Sequence, residues 1–175
     1  MIISLEKAKQ IKPNVTQDEL NALENFIRDH THNHFQNRNV RFTIKSIGDP
    51  NLLNVNDPYG LRKDDTVEIY GTSLNDGVYT VSELLTDSIR LSDDSALYDE
   101  TPGSGIVTKV QYPDAVIQGV KDILKYDVET VGRTGIKSKS ISRVSETYTD
   151  MTKDQTIGGR PAYLYGFLTN YMKMW

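Results

Sequence analysis

The first third of the chain has apolar residues at helical spacing. Ser4 is suited to cap a first helix, and Pro13 ends that helix within a few turns. Thr16, followed three residues later by Glu19, forms the capping-box pattern and predicts a second helix that runs to about Phe35. The apolar stripe of this second helix is predicted to contain Leu20, Leu23 and Ile27, with Phe26 beside them.

The period changes from helical to two near Arg41, where apolar and polar residues begin to alternate in short segments. Turn sequences such as NDPYG and TPGSG separate these segments, and Asn75-Asp76-Gly77 suits a tight hairpin because glycine accepts a positive φ. Several short strands at this spacing predict a small antiparallel sheet or barrel at residues 41–111. The segments predicted as strands are RFTIKSI, DTVEIYG, GVYTVSEL, SIRLS and GIVTKV.

Helical spacing returns after Pro113 and predicts a long helix that ends near Gly132. Residues 135–148, GIKSKSISRVSETY, then alternate again and predict a strand, and a polar loop follows it. Pro161 opens a last amphipathic helix at the end of the chain.

These elements predict an α+β protein. Residues 1–40 and 112–175 are expected to form a small helical domain of three to four helices plus a strand or hairpin. Residues 41–111 are expected to form a small antiparallel β domain inserted into it.

Composition and charge narrow the class of protein only a little. The net charge is −4 and 37% of the residues are hydrophobic, as in ordinary globular proteins. Acidic residues exceed basic ones in residues 41–112, whereas basic residues exceed acidic ones in residues 121–175. The two regions are therefore expected to meet different surroundings, or each other. The absence of cysteine excludes disulfides and thiolate metal sites.

No membrane association is expected from the sequence. No apolar run approaches the ~20 residues that span a bilayer. The N-terminal MIISLEKAKQ is apolar for only three residues and is then charged, unlike a secretory signal. Synthesis in the cytoplasm is therefore expected.

The sequence signals for catalytic and metal-binding residues are weak. His30 and His34 have the spacing of a helical metal pair, but a polar helix end explains them more simply. The many aspartates of residues 41–111 fall in turns, where they form local hydrogen bonds. Nucleophile, phosphate-binding and dinucleotide motifs are absent from the sequence. We therefore predict a protein that is not an enzyme, with no catalytic, metal-binding or cofactor-binding residue and no cofactor.

Two stretches are unusual enough to predict contacts with other molecules. Aromatic and methionine side chains crowd the C-terminal helix, and these residue types are enriched at protein interfaces. The residues predicted to contact a partner are Tyr163, Tyr165, Phe167, Leu168, Tyr171, Met172 and Trp175. In the strand at 135–148, one face carries Lys137, Lys139 and Arg143, which are predicted to line a DNA channel or to contact a neighbouring subunit. The alternative is a solvated edge strand whose lysines prevent aggregation.

The order of these segments resembles a known family. PDAVIQGVKDILKYDVE, TGIKSKSISRVSETYTD and PAYLYGFLTNYM are similar to the long helix, the strand and the final helix of head–tail connector proteins of long-tailed bacteriophages. These are also called adaptor or head-completion proteins. GTSLNDGVYTVSEL resembles β insertions in connectors from phages of Gram-positive hosts. At residues 142–144 the chain has Ser-Arg-Val where the family more commonly has Gly-Asp-Tyr, which adds a positive charge.

The resemblance implies a structural protein of the virion neck, made in the bacterial cytoplasm. Its expected partners are the portal protein, further copies of itself in a ring of twelve, a downstream neck or stopper protein, and the packaged DNA that passes through the channel. In such a ring the subunits contact one another head to tail.

Two other functions stay open at this point. Lys137, Lys139 and Arg143 together with the C-terminal aromatics could form a stacking platform of a monomeric nucleic-acid-binding module. The acidic net charge argues against this alternative. A carbohydrate-binding or hydrolytic β domain would depend only on scattered Asp and Tyr residues.

Overall fold

A computed structural model describes residues 1–48, 50–92, 97–130, 138–141, 144–147 and 156–174. The chain forms two compact units. The β unit comprises Met1 and residues 34–112, and the helical unit comprises residues 2–33 and 113–175.

The β unit is built on a seven-stranded antiparallel sheet with the strand order β1-β7-β4-β5-β6-β3-β2. The strands are β1 (Gln36–Thr43), β2 (Ser46–Gly48), β3 (Leu52–Asn54), β4 (Thr66–Tyr70), β5 (Gly77–Leu84), β6 (Ser88–Leu91) and β7 (Ile106–Val110). Every segment that the sequence predicts as a strand contains a strand of this sheet. The pattern missed β3, because only three residues of it pair and no alternation can be recognised over so short a length.

The two edge strands of the sheet follow one another in the chain and meet at a corner. β1 and β2 are separated only by Ile44 and Lys45, although they stand at opposite ends of the strand order. The amide of Ile44 donates to the carbonyl of Gly105, beside β7, and the amide of Lys45 donates to the carbonyl of Asn54 in β3, both at 2.8 Å. One bent segment therefore supplies both edge strands of the sheet.

Side chains from all seven strands enclose one apolar core. Leu53, Val67 and Ile89 are fully buried in it, and Ile44 at the corner is almost so. Successive residues of a strand point to opposite faces, so Val67 and Ile69 of β4 reach this core while Glu68 faces outward. The carboxylate of Glu68 is nevertheless buried, because His34 Nδ1 contacts it at 2.7 Å and the Gln36 amide donates to it at 2.8 Å.

The predicted fold class is wrong. We expected a mainly helical domain with a small β insertion, whereas the large seven-stranded sheet is the principal element and the described residues contain only four helices. The β structure begins at Gln36 rather than Arg41, and the polar QNRNV segment joins it because it pairs with β7. Side-chain periodicity gave no sign of that pairing, since a strand with little buried surface has no alternation to detect.

Two short-range signals fix the start of the helical unit. In α1 (Leu5–Lys9) the Ser4 hydroxyl accepts a hydrogen bond from the amide of Lys7. In α2 (Gln17–Thr31) Thr16 and Glu19 form the reciprocal capping box that the sequence predicts. The helix ends four residues before Phe35, because His32 adopts a left-handed conformation with φ 49°.

The rest of the helical unit, in its described residues, consists of α3 (Asp114–Thr130), two short hairpins and a C-terminal helix. The hairpins β8 (Ser138–Ile141) with β9 (Val144–Thr147) and β10 (Thr156–Ile157) with β11 (Arg160–Pro161) precede a 3₁₀ helix at Ala162–Tyr171. The stretch predicted as one strand at 135–148 thus contains two paired strands. The last helix is 3₁₀ rather than α, which changes the side-chain periodicity from 3.6 to three.

An ion-pair cluster joins α3 to β11 and to the residues after α1. The guanidinium of Arg160 binds both carboxylate oxygens of Asp127, at 2.7 and 2.8 Å, and Lys12 approaches the same carboxylate at 3.4 Å. Partial burial would raise the pKa of Asp127, but hydrogen bonds and charges of Arg160 and Lys12 outweigh it, so the pKa is lowered. Asp127 is therefore ionised at neutral pH and holds these segments together.

We expect Asp127→Asn to lower the free energy of unfolding by about 1–3 kcal/mol, as for hydrogen bonds to charged groups. Because the folded pKa is depressed, this stabilisation is present above the ordinary value of 3.8 and is lost as the pH falls through the lowered pKa. Urea unfolding at pH 7 and at lower pH measures both effects. The control is Asp122→Asn on the same helix, whose pair with Lys125 is half exposed and is worth little. Equal losses in the two variants would contradict the assignment.

Candidate functional site

The period of three in the C-terminal helix sorts the predicted contact residues onto different faces. Side chains three apart lie above one another in a 3₁₀ helix. Tyr165 and Leu168 form one row and are 4% and 1% exposed, whereas Tyr163 and Met172 belong to another row and are 74% and 47% exposed. A helical wheel at 3.6 residues per turn does not separate these two rows.

The inward row anchors the helix to the helical unit. The ring of Tyr165 meets the ring of Phe26 on α2 edge to face at 5.3 Å, and the Tyr165 hydroxyl accepts a long hydrogen bond from Arg160 at 3.5 Å. Leu168 is almost fully buried. These two residues were predicted as partner contacts, but the structure places them inside the unit.

A third row packs the helix against α3. The ring of Phe167 lies directly on the backbone of Gly119, where a Cβ atom would overlap its carbon atoms. Phe167 is only partly exposed as a result. No packing role was predicted for Gly119, although a glycine inside a helical pattern is a recognised sign of close packing.

Two hydrogen bonds join the end of the C-terminal helix to the end of α2. The side-chain amide of Asn33 donates to the carbonyl of Tyr171 at 3.2 Å, and the amide of Lys173 donates to the carbonyl of Thr31 at 2.9 Å. Tyr171 is partly exposed. These bonds satisfy carbonyls at two helix ends and fix the position of Met172 on the surface.

Tyr163 and Met172 of the outer row, together with Met174 just beyond the helix, are exposed, and we call these three residues the C-terminal surface. Met174 is 95% exposed. With a rise of about 2.0 Å per residue, Tyr163 and Met172 are roughly 18 Å apart along the helix. Partial burial raises the pKa of Tyr126 on α3, with smaller contributions from Tyr163 and Asp127, so Tyr126 adjoins this surface as a neutral phenol.

The structure gives less information about the basic strand and the last residue. Lys139 lies on β8, opposite Glu146 of β9 in the register of the hairpin. Lys137, Arg143 and Trp175 lie outside the described residues. Their predicted contacts with DNA, a subunit or a partner therefore stay predictions.

The two histidines with metal-pair spacing have separate surroundings. His30 stacks on Phe26 at 5.4 Å within α2, whereas His34 contacts Glu68 in the β unit. No group of three or more metal-ligating side chains occurs among the described residues. The C-terminal surface itself offers phenol, thioether and hydrocarbon groups, which are suited to apolar packing and contain no nucleophile–base pair.

No helix in the described ranges is both long and apolar enough to cross a membrane. No protein-family model matches the chain, and no curated protein matches it significantly.

Proposed function

We propose that the protein is a structural component of the virion neck, a head–tail connector that binds under the portal ring and extends the DNA channel. In this function it provides the platform for the next neck or stopper protein and occurs as a ring of copies, with twelve expected from the resemblance. The proposal rests on the sequence resemblance of the C-terminal half and on the C-terminal surface. It does not use the fold class predicted from the hydrophobic pattern, which is wrong.

The observation that carries the proposal is the position of Tyr163, Met172 and Met174. The helix that bears Tyr163 and leads into the two methionines is held on its other faces by Phe26 and Gly119. A partner would therefore meet an apolar surface that is already ordered, so that binding costs little conformational entropy. Tyrosine and methionine are residue types that protein interfaces favour. The C-terminal surface is the proposed contact with the portal protein.

The proposal is tested by incubating purified portal rings with the full-length protein and imaging the product by electron microscopy. We expect an additional ring beneath the portal. Tyr163→Ser/Met172→Ser should weaken binding at least tenfold, because it removes two exposed apolar anchors worth more than about 1.4 kcal/mol together. Retention of DNA by assembled particles should fall in parallel.

The control is Tyr59→Ser/Leu85→Ser, which removes two exposed apolar side chains from the β unit. This variant should add the ring normally, and circular dichroism should show that both variants fold. Unchanged portal binding by Tyr163→Ser/Met172→Ser would exclude the C-terminal surface. Strong, salt-dependent DNA binding by the monomer, without any portal contact, would favour the nucleic-acid-binding alternative.

A further inference from the structure

The β4–β5 loop, residues 71–76, is held in place by a hydrogen-bond network around a buried amide. Asn75 is 1% exposed, and its side chain both donates to the carbonyl of Tyr98, at 3.0 Å, and accepts from the amide of Tyr98, at 2.8 Å. The same amide donates to Glu100 at 2.9 Å, and the hydroxyl of Tyr79 donates to the carbonyl of Asn75 at 3.0 Å. The loop and the segment after residue 97 are therefore fixed to one another.

Two carboxylates complete this network and remain ionised. Backbone hydrogen bonding from Ser73 is the main cause that lowers the pKa of Glu100. Burial would raise the pKa of Asp76, but hydrogen bonds from the hydroxyl and amide of Thr72 and from the amide of Gly71 outweigh it and lower the pKa. The loop is thus acidic as well as ordered.

Large apolar side chains surround this acidic loop and point to solvent. Tyr70 ends β4, Leu74 lies in the loop, and Tyr98 is bound to Asn75; they are 69%, 67% and 62% exposed. Val78 lies opposite Glu68, whose neighbour on the same face of β4 is Tyr70. We call Tyr70, Leu74, Val78 and Tyr98 the loop surface. An ordered apolar surface of this kind is typical of a docking site.

The charge of the β unit indicates which kind of segment binds the loop surface. The β unit, counted as Met1 and residues 34–112, contains 7 Lys and Arg against 12 Asp and Glu, and Asp99 beside Tyr98 is exposed. Residues 133–143, RTGIKSKSISR, contain four basic residues, no acidic residue and two isoleucines. This segment therefore combines the positive charge and the apolar side chains that the loop surface would bind.

We propose that the loop surface of one copy binds residues 133–143 of a second copy. The contact is head to tail, because it joins two different regions of the chain, and a bound pair keeps one free loop surface and one free 133–143 segment to which further copies can add. The contact would join neighbouring copies in the ring, so this inference rests on the proposed function. It is tested without portal protein, so its failure leaves portal binding by the C-terminal surface unaffected.

The test is sedimentation velocity of the full-length protein over a range of concentrations. We expect concentration-dependent association at about 0.1 M salt and much weaker association at about 1 M, since the Debye length falls from about 10 to about 3 Å. Leu74→Ser/Tyr98→Ser and Lys137→Glu/Lys139→Glu/Arg143→Glu should each reduce the association at least tenfold. Tyr59→Ser, an equally exposed tyrosine that packs on Phe42, is the control and should associate normally.

Mixing the two defective variants gives the decisive result. The first variant retains residues 133–143 and the second retains the loop surface, so together they should form a heterodimer although neither associates alone. Association of the wild type that neither variant changes would overturn the proposal, as would a wild type that stays monomeric at every concentration. Failure of the mixture to form heterodimers would also overturn it, because two complementary surfaces must recombine.

Discussion

Gly119→Ala is expected to destabilise the helical unit by about 1–3 kcal/mol, the usual cost of overpacking. Replacing glycine by alanine in a helix normally stabilises by about 0.5–1 kcal/mol, so the expected sign is reversed. The reason is the ring of Phe167, which occupies the space that the new methyl group requires. Either the ring or the whole C-terminal helix must move. Urea unfolding followed by circular dichroism measures the change.

The control for this prediction is Gly166→Ala within the C-terminal helix, where nothing lies within 4 Å of the added methyl group. That variant should be neutral or slightly stabilised. A double-mutant cycle with Phe167→Ala isolates the contact, because Gly119→Ala should cost much less once the ring is absent. If Gly119→Ala is as stable as the wild type, Phe167 does not lie against this glycine.

Asn75→Ala is expected to destabilise the β unit by about 1–3 kcal/mol for each polar group left without a partner. The substitution removes the amide that pairs with both backbone groups of Tyr98 and with Glu100. Because Asn75 is almost fully buried, water does not replace these bonds without opening the loop. Chemical denaturation measures the loss, and hydrogen exchange should show faster exchange of the amides of Ser73 and Tyr98.

Asn37→Ala is the matched control, since the Asn37 side chain donates to Gln111 at the surface of the same unit. We expect a change of less than about 0.5 kcal/mol, as at most surface positions. Equal destabilisation by the two substitutions would mean that the 71–76 loop is not anchored through Asn75. Normal exchange at Ser73 in the Asn75→Ala variant would give the same conclusion.

Short-range chemistry made the helix starts and most strands predictable. The caps at Ser4 and Thr16 depend on contacts three residues apart, so the sequence contains all the necessary information. Alternation located β4, β5 and β7 because alternate residues of each strand face the apolar core. The size of the sheet was not predictable in this way. β1 starts with polar residues that pair with β7 about 70 positions later, and β3 is too short to have a pattern.

The sequence indicated which segment contains the candidate site, but not which of its side chains are exposed. The density of Tyr, Phe and Met in the last residues is visible in the sequence, and it marked the helix that bears the C-terminal surface. Which side chains face outward depended on the helix type, because a 3₁₀ helix places Tyr163 and Met172 in one row and Tyr165 and Leu168 in another. Apolar character alone did not distinguish a buried residue from an exposed one.

The sequence by itself determined the local elements: two capped helices, a run of short strands, a long helix and an aromatic C-terminal segment. Only the tertiary structure decided that the strands join into one seven-stranded sheet, that Asn75 anchors a loop, and that Gly119 receives the ring of Phe167. The physical reason is the range of the interactions. Caps and alternation act between near neighbours, whereas the pairing of β1 with β7, the hydrogen bonds of the Asn75 side chain and the packing of Phe167 on Gly119 join residues more than twenty positions apart.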